Sequence, residues 1–283
     1  MHISYSMVLQ EAYEVNWFSV YATLFGILTV CLYYLVRFSE TVYAHYYSKP
    51  FYVHWYFNRK SLSVKDQKWL KKNDFYQKLS TKQKKNFDHR VNEFINNTRF
   101  IGRNGLEVTD DMKLRIAYIA IMLTFGMRNY LHEYLETIII FPSSFYSPFN
   151  QTENKGEYNP RFKSLVFSWE DFIQSTSIKD NSINLGIHEL THVIHYTALK
   201  NNDISSEIFY DSFLRLENCL KDKDLRLRFS KSKILREYAF TNKYEFIAVL
   251  IEVFIETPQK LKSQFPSIYL IVQRMLNFRF AGY

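Results

Sequence analysis

Cysteine, glycine and proline are scarce in this chain of 283 residues, which holds two, seven and six of them. The two cysteines, Cys31 and Cys219, lie in no Cys-x-x-Cys spacing, which excludes a disulfide framework and a thiolate metal centre. So few turn-forming residues exclude a chain of many tight hairpins, such as a sandwich or barrel, and favour helix. A Walker loop, a dinucleotide fingerprint and a Gly-x-Ser-x-Gly elbow are also missing, as are internal repeats and low-complexity tracts. What is present is 47% hydrophobic and 23% charged, a balance that excludes intrinsic disorder and a polytopic membrane protein.

The formal charge is +8 and unevenly spread. Residues 59–90 hold eleven Lys/Arg, from Arg59 to Arg90, against Asp66, Asp74 and Asp88. Alternating charge and apolar residues describes solvated helix faces first, attraction to anionic lipid second and a phosphate backbone last, so no nucleic-acid partner is expected.

From Trp17 to Val36 runs WFSVYATLFGILTVCLYYLV, twenty residues without a charge. As a helix it spans about 30 Å, the thickness of a bilayer core. Glu11 and Glu14 precede it without any Lys or Arg, and no small-x-small cleavage site follows, so an uncleaved anchor fits better than a signal peptide. Arg37, Lys49, Arg59 and Lys60 follow the span, which by the positive-inside rule places the N-terminus outside and the bulk of the chain in the cytoplasm, at the cell membrane. The expected organisation is a short extracytoplasmic segment 1–16, a transmembrane helix 17–36, an aromatic-rich juxtamembrane linker 37–65 and one domain over 66–283.

Within that domain, helical periodicity covers Lys65 to Leu70, Thr81 to Phe94, capped by Ser80 or Thr81, and Asp110 to Phe125. The apolar run Ile116 to Gly126 is too short to span a bilayer and reads as a core helix. Phe100 to Thr109 has two glycines and a strand-like tail, while Thr137 to Phe141 and Ser164 to Trp169 are strand candidates separated by a hairpin or loop. The pattern is α+β, mostly helical, with a small sheet.

Chemistry concentrates in residues 184–199, NLGIHELTHVIHYTAL, where His188, Glu189 and His192 form H-E-x-x-H. Histidines at i and i+4 share a helix face, so both imidazoles reach one Zn²⁺. Glu189 stands beside them, suited to take a proton from the attacking water. Asp180, Asn181 and Ser182 offer caps for this helix. A catalytic zinc takes three protein ligands. His195 lies only three residues past His192 and reads as a polar contact near the site or a surface position rather than a ligand. The apolar run Tyr244 to Glu256 carries Glu245, Glu252 and Glu256, where a carboxylate needs a cation, either a metal or Arg236, Lys243 or Arg274. Spacing by seven puts Tyr238, Glu245 and Glu252 on one stripe and leaves the choice between the glutamates open.

HELTH, KYEFIAVLIEVFIETP (Lys243 to Pro258), FIGRNGLEVTDDMKLRIA (Phe100 to Ala117), TIIIFPSSF (Thr137 to Phe145) and SLVFSWEDF (Ser164 to Phe172) together resemble the Mlc titration factor A family of zinc-dependent peptidases. The resemblance covers about Phe75 to Phe265. It implies a zincin-like domain similar to the catalytic domain of anthrax lethal factor. It further implies one zinc held by His188, His192 and Glu245, with Glu189 as general base and Tyr238 near the scissile carbonyl of a peptide or protein substrate. Family members are associated with sequestering a transcriptional repressor, so the alternative to a membrane-anchored peptidase is a regulatory binding protein. The family often has Asp where His195 stands, and the anchor is an addition to its pattern.

Overall fold

The computed structural model describes residues 16–177 and 183–283. The apolar run is helical, but helix α1 (Trp17–Tyr47) continues well past Val36. Hydropathy marks where a bilayer core would end, not where a helix ends. Nothing between Arg37 and Tyr47 interrupts i→i−4 bonding, and α1 stops only at Ser48, which takes a left-handed φ of 51° shortly before Pro50. The apolar window of α1 is long enough to cross a membrane and is 0% buried. Its extension is different, for Glu40 and Ala44 are buried.

The stretch 37–65 is tied to the domain at particular points, while much of its surface is exposed. Arg90, fully buried, donates to the carbonyls of Val53 (3.0 Å), Thr124 (3.0 Å) and Met127 (2.8 Å) and to the Tyr56 hydroxyl. The chain then forms α2 (Val64–Leu70), the single turn α3 (Asp74–Gln77) and α4 (Thr81–Asn97). Helix α4 starts with a capping box in which Ser80 and Gln83 satisfy each other's backbone N–H.

The strand expected at the tail of Phe100 to Thr109 instead occupies its head, as β1 (Arg99–Gly102). Pairing with β2 (Thr137–Phe141) decides this, because Phe100 and Ile101 lie opposite Ile138 and Ile139, while Thr109 becomes the N-cap of α5 (Asp110–Thr124). As expected of a core helix, α5 is buried along most of its length. After β2 come the hairpin β3 (Phe145–Ser147) and β4 (Thr152–Asn154), then β5 (Gly156–Asn159) and β6 (Ser164–Ser168). The sheet order is β1-β2-β6-β5, parallel except for β5, which runs antiparallel along β6 at the edge.

Helix α6 (Trp169–Ser177) leads to α7 (Leu185–Lys200), which packs against α5, against α8 (Ile204–Cys219) and against β5. There follow α9 (Lys223–Ser232), a 3₁₀ turn (Glu237–Phe240), α10 (Lys243–Glu256), α11 (Pro258–Gln264) and α12 (Pro266–Met275). Helix α10 lies across α7, and the residues from Phe246 to Ile255 are all buried. The domain is thus mostly helical with a small sheet. The helix carrying the two histidines is sandwiched between the sheet edge and α10.

Candidate metal centre

Helix α7 begins at Asn184, whose side-chain oxygen accepts from the N–H of Ile187 at 3.0 Å. The caps offered by Asp180, Asn181 and Ser182 lie outside the described residues. His188 and His192 leave the same face with their Nε2 atoms 3.3 Å apart. On α10, Asn242 caps the first turn by accepting from the N–H of Glu245 at 3.0 Å, which aims the Glu245 carboxylate across at α7. Its Oε2 comes to 2.9 Å from His188 Nε2 and its Oε1 to 3.6 Å from His192 Nε2. The three donor groups lie within 4.8 Å of one another and could hold a metal ion.

The donor chemistry fits a divalent cation. His188 Nδ1 faces Glu252 Oε1 at 2.8 Å, and the tautomer that donates this proton turns the Nε2 lone pair toward His192 and Glu245. Two imidazole nitrogens and a carboxylate converge there, a set suited to zinc, which would take the place of the proton shared by His188 Nε2 and Glu245. Burial works against a charged His188, yet hydrogen bonds to Glu245 and Glu252 push it up to about 9. The cluster therefore draws positive charge to the point where the donors meet. His192 is pushed the other way, down to about 4, first by burial and then by the charge on His188.

Glu252 is fully buried and does not join the three donors. Besides His188 it accepts from the Asn184 N–H (2.7 Å) and from both terminal nitrogens of Arg236 (2.9 and 2.7 Å). Of the cations weighed for these glutamates, Arg236 is the one that pairs, while Lys243 binds Glu217 instead.

Glu189 is buried on the side of α7 facing the sheet edge, and burial, reinforced by the charges of Glu245 and Glu157, pushes its carboxyl up to about 7. Gly156 on β5 makes room for it. A Cβ at that position would lie 2.7 Å from Glu189 Cγ and Oε1, so any larger residue displaces the carboxylate. Nothing in the sequence around Gly156 signals this contact, which is made across the fold. The double role of Asn184, capping α7 and tying it to α10, had a visible trace in its place just before the apolar run.

Tyr238 sits on the 3₁₀ turn ahead of α10, half exposed, with its ring 6.0 Å from that of His188. Burial of one edge and the Glu245 carboxylate push its phenol up to about 12, so it is a proton donor at neutral pH. His195 points away from the centre, into the rings of Phe209, Phe213 and Tyr244. A cleft of about 520 Å³ opens over the centre, bordered by Gly156, Gln174, Leu185, His188, Glu189 and Tyr238.

A His-Glu-x-x-His helix facing a carboxylate on a later helix defines a metallopeptidase-like protein. Residues 54–277 match the family model described as glucose-regulated metallo-peptidase M90, and the chain belongs to this family, the one its motifs resemble. The chain is also 23% identical over 215 residues to an uncharacterized protein, slr2042, of Synechocystis sp., a match covering 71% of this chain and 78% of the relative.

Proposed function

We propose that the protein is a zinc-dependent peptidase anchored in the membrane by residues 17–36, with its catalytic domain in the cytoplasm. The observation that carries the reading is the convergence of His188, His192 and Glu245 on one point beside Glu189. Bound there, zinc would supply Lewis acidity toward a peptide carbonyl and an attacking water.

The chain's own residues do the rest. Glu189 accepts the proton of the attacking water and passes it to the leaving amine. Tyr238, protonated and beside the cleft, donates to the carbonyl oxygen as it gains charge. Glu252, by accepting the Nδ1 proton of His188, leaves the Nε2 lone pair for the metal. A protein that only sequestered a regulator would need the metal ligands for structure but not Glu189. A buried carboxylate retained at that position, with Gly156 leaving room for it, favours catalysis.

The test is metal content and peptide hydrolysis of the full chain and of Glu189→Gln. One zinc per chain is expected in both, with turnover of the variant lower by about 10²–10⁴. Equal turnover would overturn the reading. For the orientation, Arg37, Lys49, Arg59 and Lys60 behind the span are the support. Cys219 should resist an impermeant thiol reagent in intact cells and react after permeabilisation, and labelling without lysis would reverse the topology.

A further inference from the structure

The end of α1 and the segment after it are arranged as a unit. Val36 is the last residue of the uncharged run, and Glu40 and Ala44 lie about 6 and 12 Å further along the helix. Both are buried: Ala44 packs against Ile204 and Ile208 of α8, and Glu40 forms an ion pair with Arg128. The headgroup layer is about 5–8 Å deep on each side of a bilayer core. The body of the domain therefore begins within roughly that layer if α1 spans a membrane as proposed.

Beyond Tyr47 the chain does not lead away. Left-handed Ser48 and then Pro50 reverse it, and the N–H of Phe51 returns to donate to Glu40 Oε1 at 3.2 Å, back at the level of the helix four residues past the span. Arg128 fixes the next residue, donating from Nε to the carbonyl of Tyr52 at 3.3 Å and stacking its guanidinium 3.8 Å from the Tyr52 ring. Arg90 holds Val53 and Tyr56 from the domain side. The side chains left outside are aromatic: Phe51, Tyr52, Trp55 and Phe57 are exposed, the last at 98%. Tyr52, Trp55 and Phe57 form a row, with ring centres 5.5 and 6.2 Å apart.

Exposed rings at such density are costly against water and stable at the depth where a bilayer is apolar on one side and wet on the other. The charge agrees, since Glu40 is the single acid between residues 37 and 60 and is neutralised by Arg128, while Arg37, Lys49, Arg59 and Lys60 are basic.

We infer that the segment Phe51–Phe57 is a second membrane contact, an aromatic shelf seated in the headgroup layer of the leaflet from which α1 emerges. The domain therefore rests on the bilayer instead of hanging from it. This rests on the reading of α1 as a membrane anchor. It concerns a surface outside the catalytic centre.

The test uses the full chain and Trp55→Phe, a change at an exposed ring that leaves the core intact. Both are reconstituted in vesicles of phosphatidylcholine with a minor fraction of phosphatidylglycerol. The difference between their emissions isolates Trp55, and it is measured with nitroxide lipids labelled either near the headgroup or near the acyl terminus. Flotation of the vesicles first checks the anchor.

With the shelf seated, Trp55 is quenched at least about twofold more by the shallow label than by the deep one, as its interfacial depth requires. Flotation with Trp55 unquenched by either label, or quenched more by the deep one, overturns the shelf and leaves the anchor standing. Failure to float overturns both.

Discussion

Two arginines hold two different regions of this molecule together. Arg90, on α4, is fully buried and meets no carboxylate among the described residues: its donors are spent on backbone carbonyls and one phenol, and its face lies 4.3 Å from the Tyr130 ring. Arg236, ahead of α10, is partly exposed and faces Glu252, the carboxylate that also orients His188. Neutral acceptors can satisfy a guanidinium without responding to anything that binds. A carboxylate shared with an imidazole makes the second region answer to the charge of the centre. The first arrangement is a structural clamp between the segment after α1 and the domain, and the second holds a residue of the candidate metal centre.

The largest effect that could break this comparison is at the clamp. In Arg90→Met the carbonyls of Val53 and Met127 lose their donor inside the protein, and that of Thr124 keeps only the N–H of Met127. Stability should fall by about 3–5 kcal/mol, read from the urea midpoint. Metal affinity of the folded fraction should not change. A variant that binds metal poorly while folding normally would put Arg90 in the chemistry after all.

At the other knot, Glu252→Gln keeps the shape and an acceptor for His188 but removes the charge. Metal affinity should weaken by about 10–100-fold, measured by competition with a chelator, with a smaller loss of stability than at Arg90. Unchanged affinity would reduce Glu252 to a packing residue and erase the distinction between the two knots.

The smallest effect sharpens the comparison through pH. His54 lies beside Arg90, its ring centre 4.5 Å from that of Phe125, and its Nδ1 is buried without a partner. Burial first, then Arg90, Arg59 and Lys82, push its pKa down to about 3. The unfolded chain binds this proton at an ordinary histidine pKa and the folded chain does not. The contribution of His54 is therefore complete above the unfolded value and is lost as pH falls from about 6.5 toward about 3. At about pH 5.5 the loss should be near 1.4 kcal/mol. His54→Gln should remove that part of the acid slope, and an unchanged slope would place the acid sensitivity elsewhere.

Local patterns were legible in the sequence and partner-dependent ones were not. Two histidines one turn apart announce a shared face because the helix alone sets their geometry. The ends of β2 and β6 follow from a β-branched run cut by Pro142 and a short apolar run cut by the start of α6. Strand β1 was misplaced within its segment because its register is chosen by β2, nearly forty residues away. For Tyr238, Glu245 and Glu252, periodicity gave one stripe and could not select a residue. The selection lies in where α10 crosses α7, which brings Glu245 to the imidazole Nε2 atoms and Glu252 to the far nitrogen of His188. Gly156 is the extreme case, since its meaning is the carboxylate of a residue on another element.

The centre is assembled from parts 64 residues apart in the chain, His188 and the Glu252 that orients it, with the Glu245 carboxylate supplied from the same late helix. During synthesis the chain emerges N-terminal end first. Helix α1, the sheet and the whole of α7 are therefore made while the completing helix is still unmade. A ribosome-bound chain carries the histidine pair without the group that fixes its tautomer or the carboxylate that closes its donor set. A complete donor set, on this arrangement, exists only when translation is nearly over, long after helix α1 and the sheet have been made.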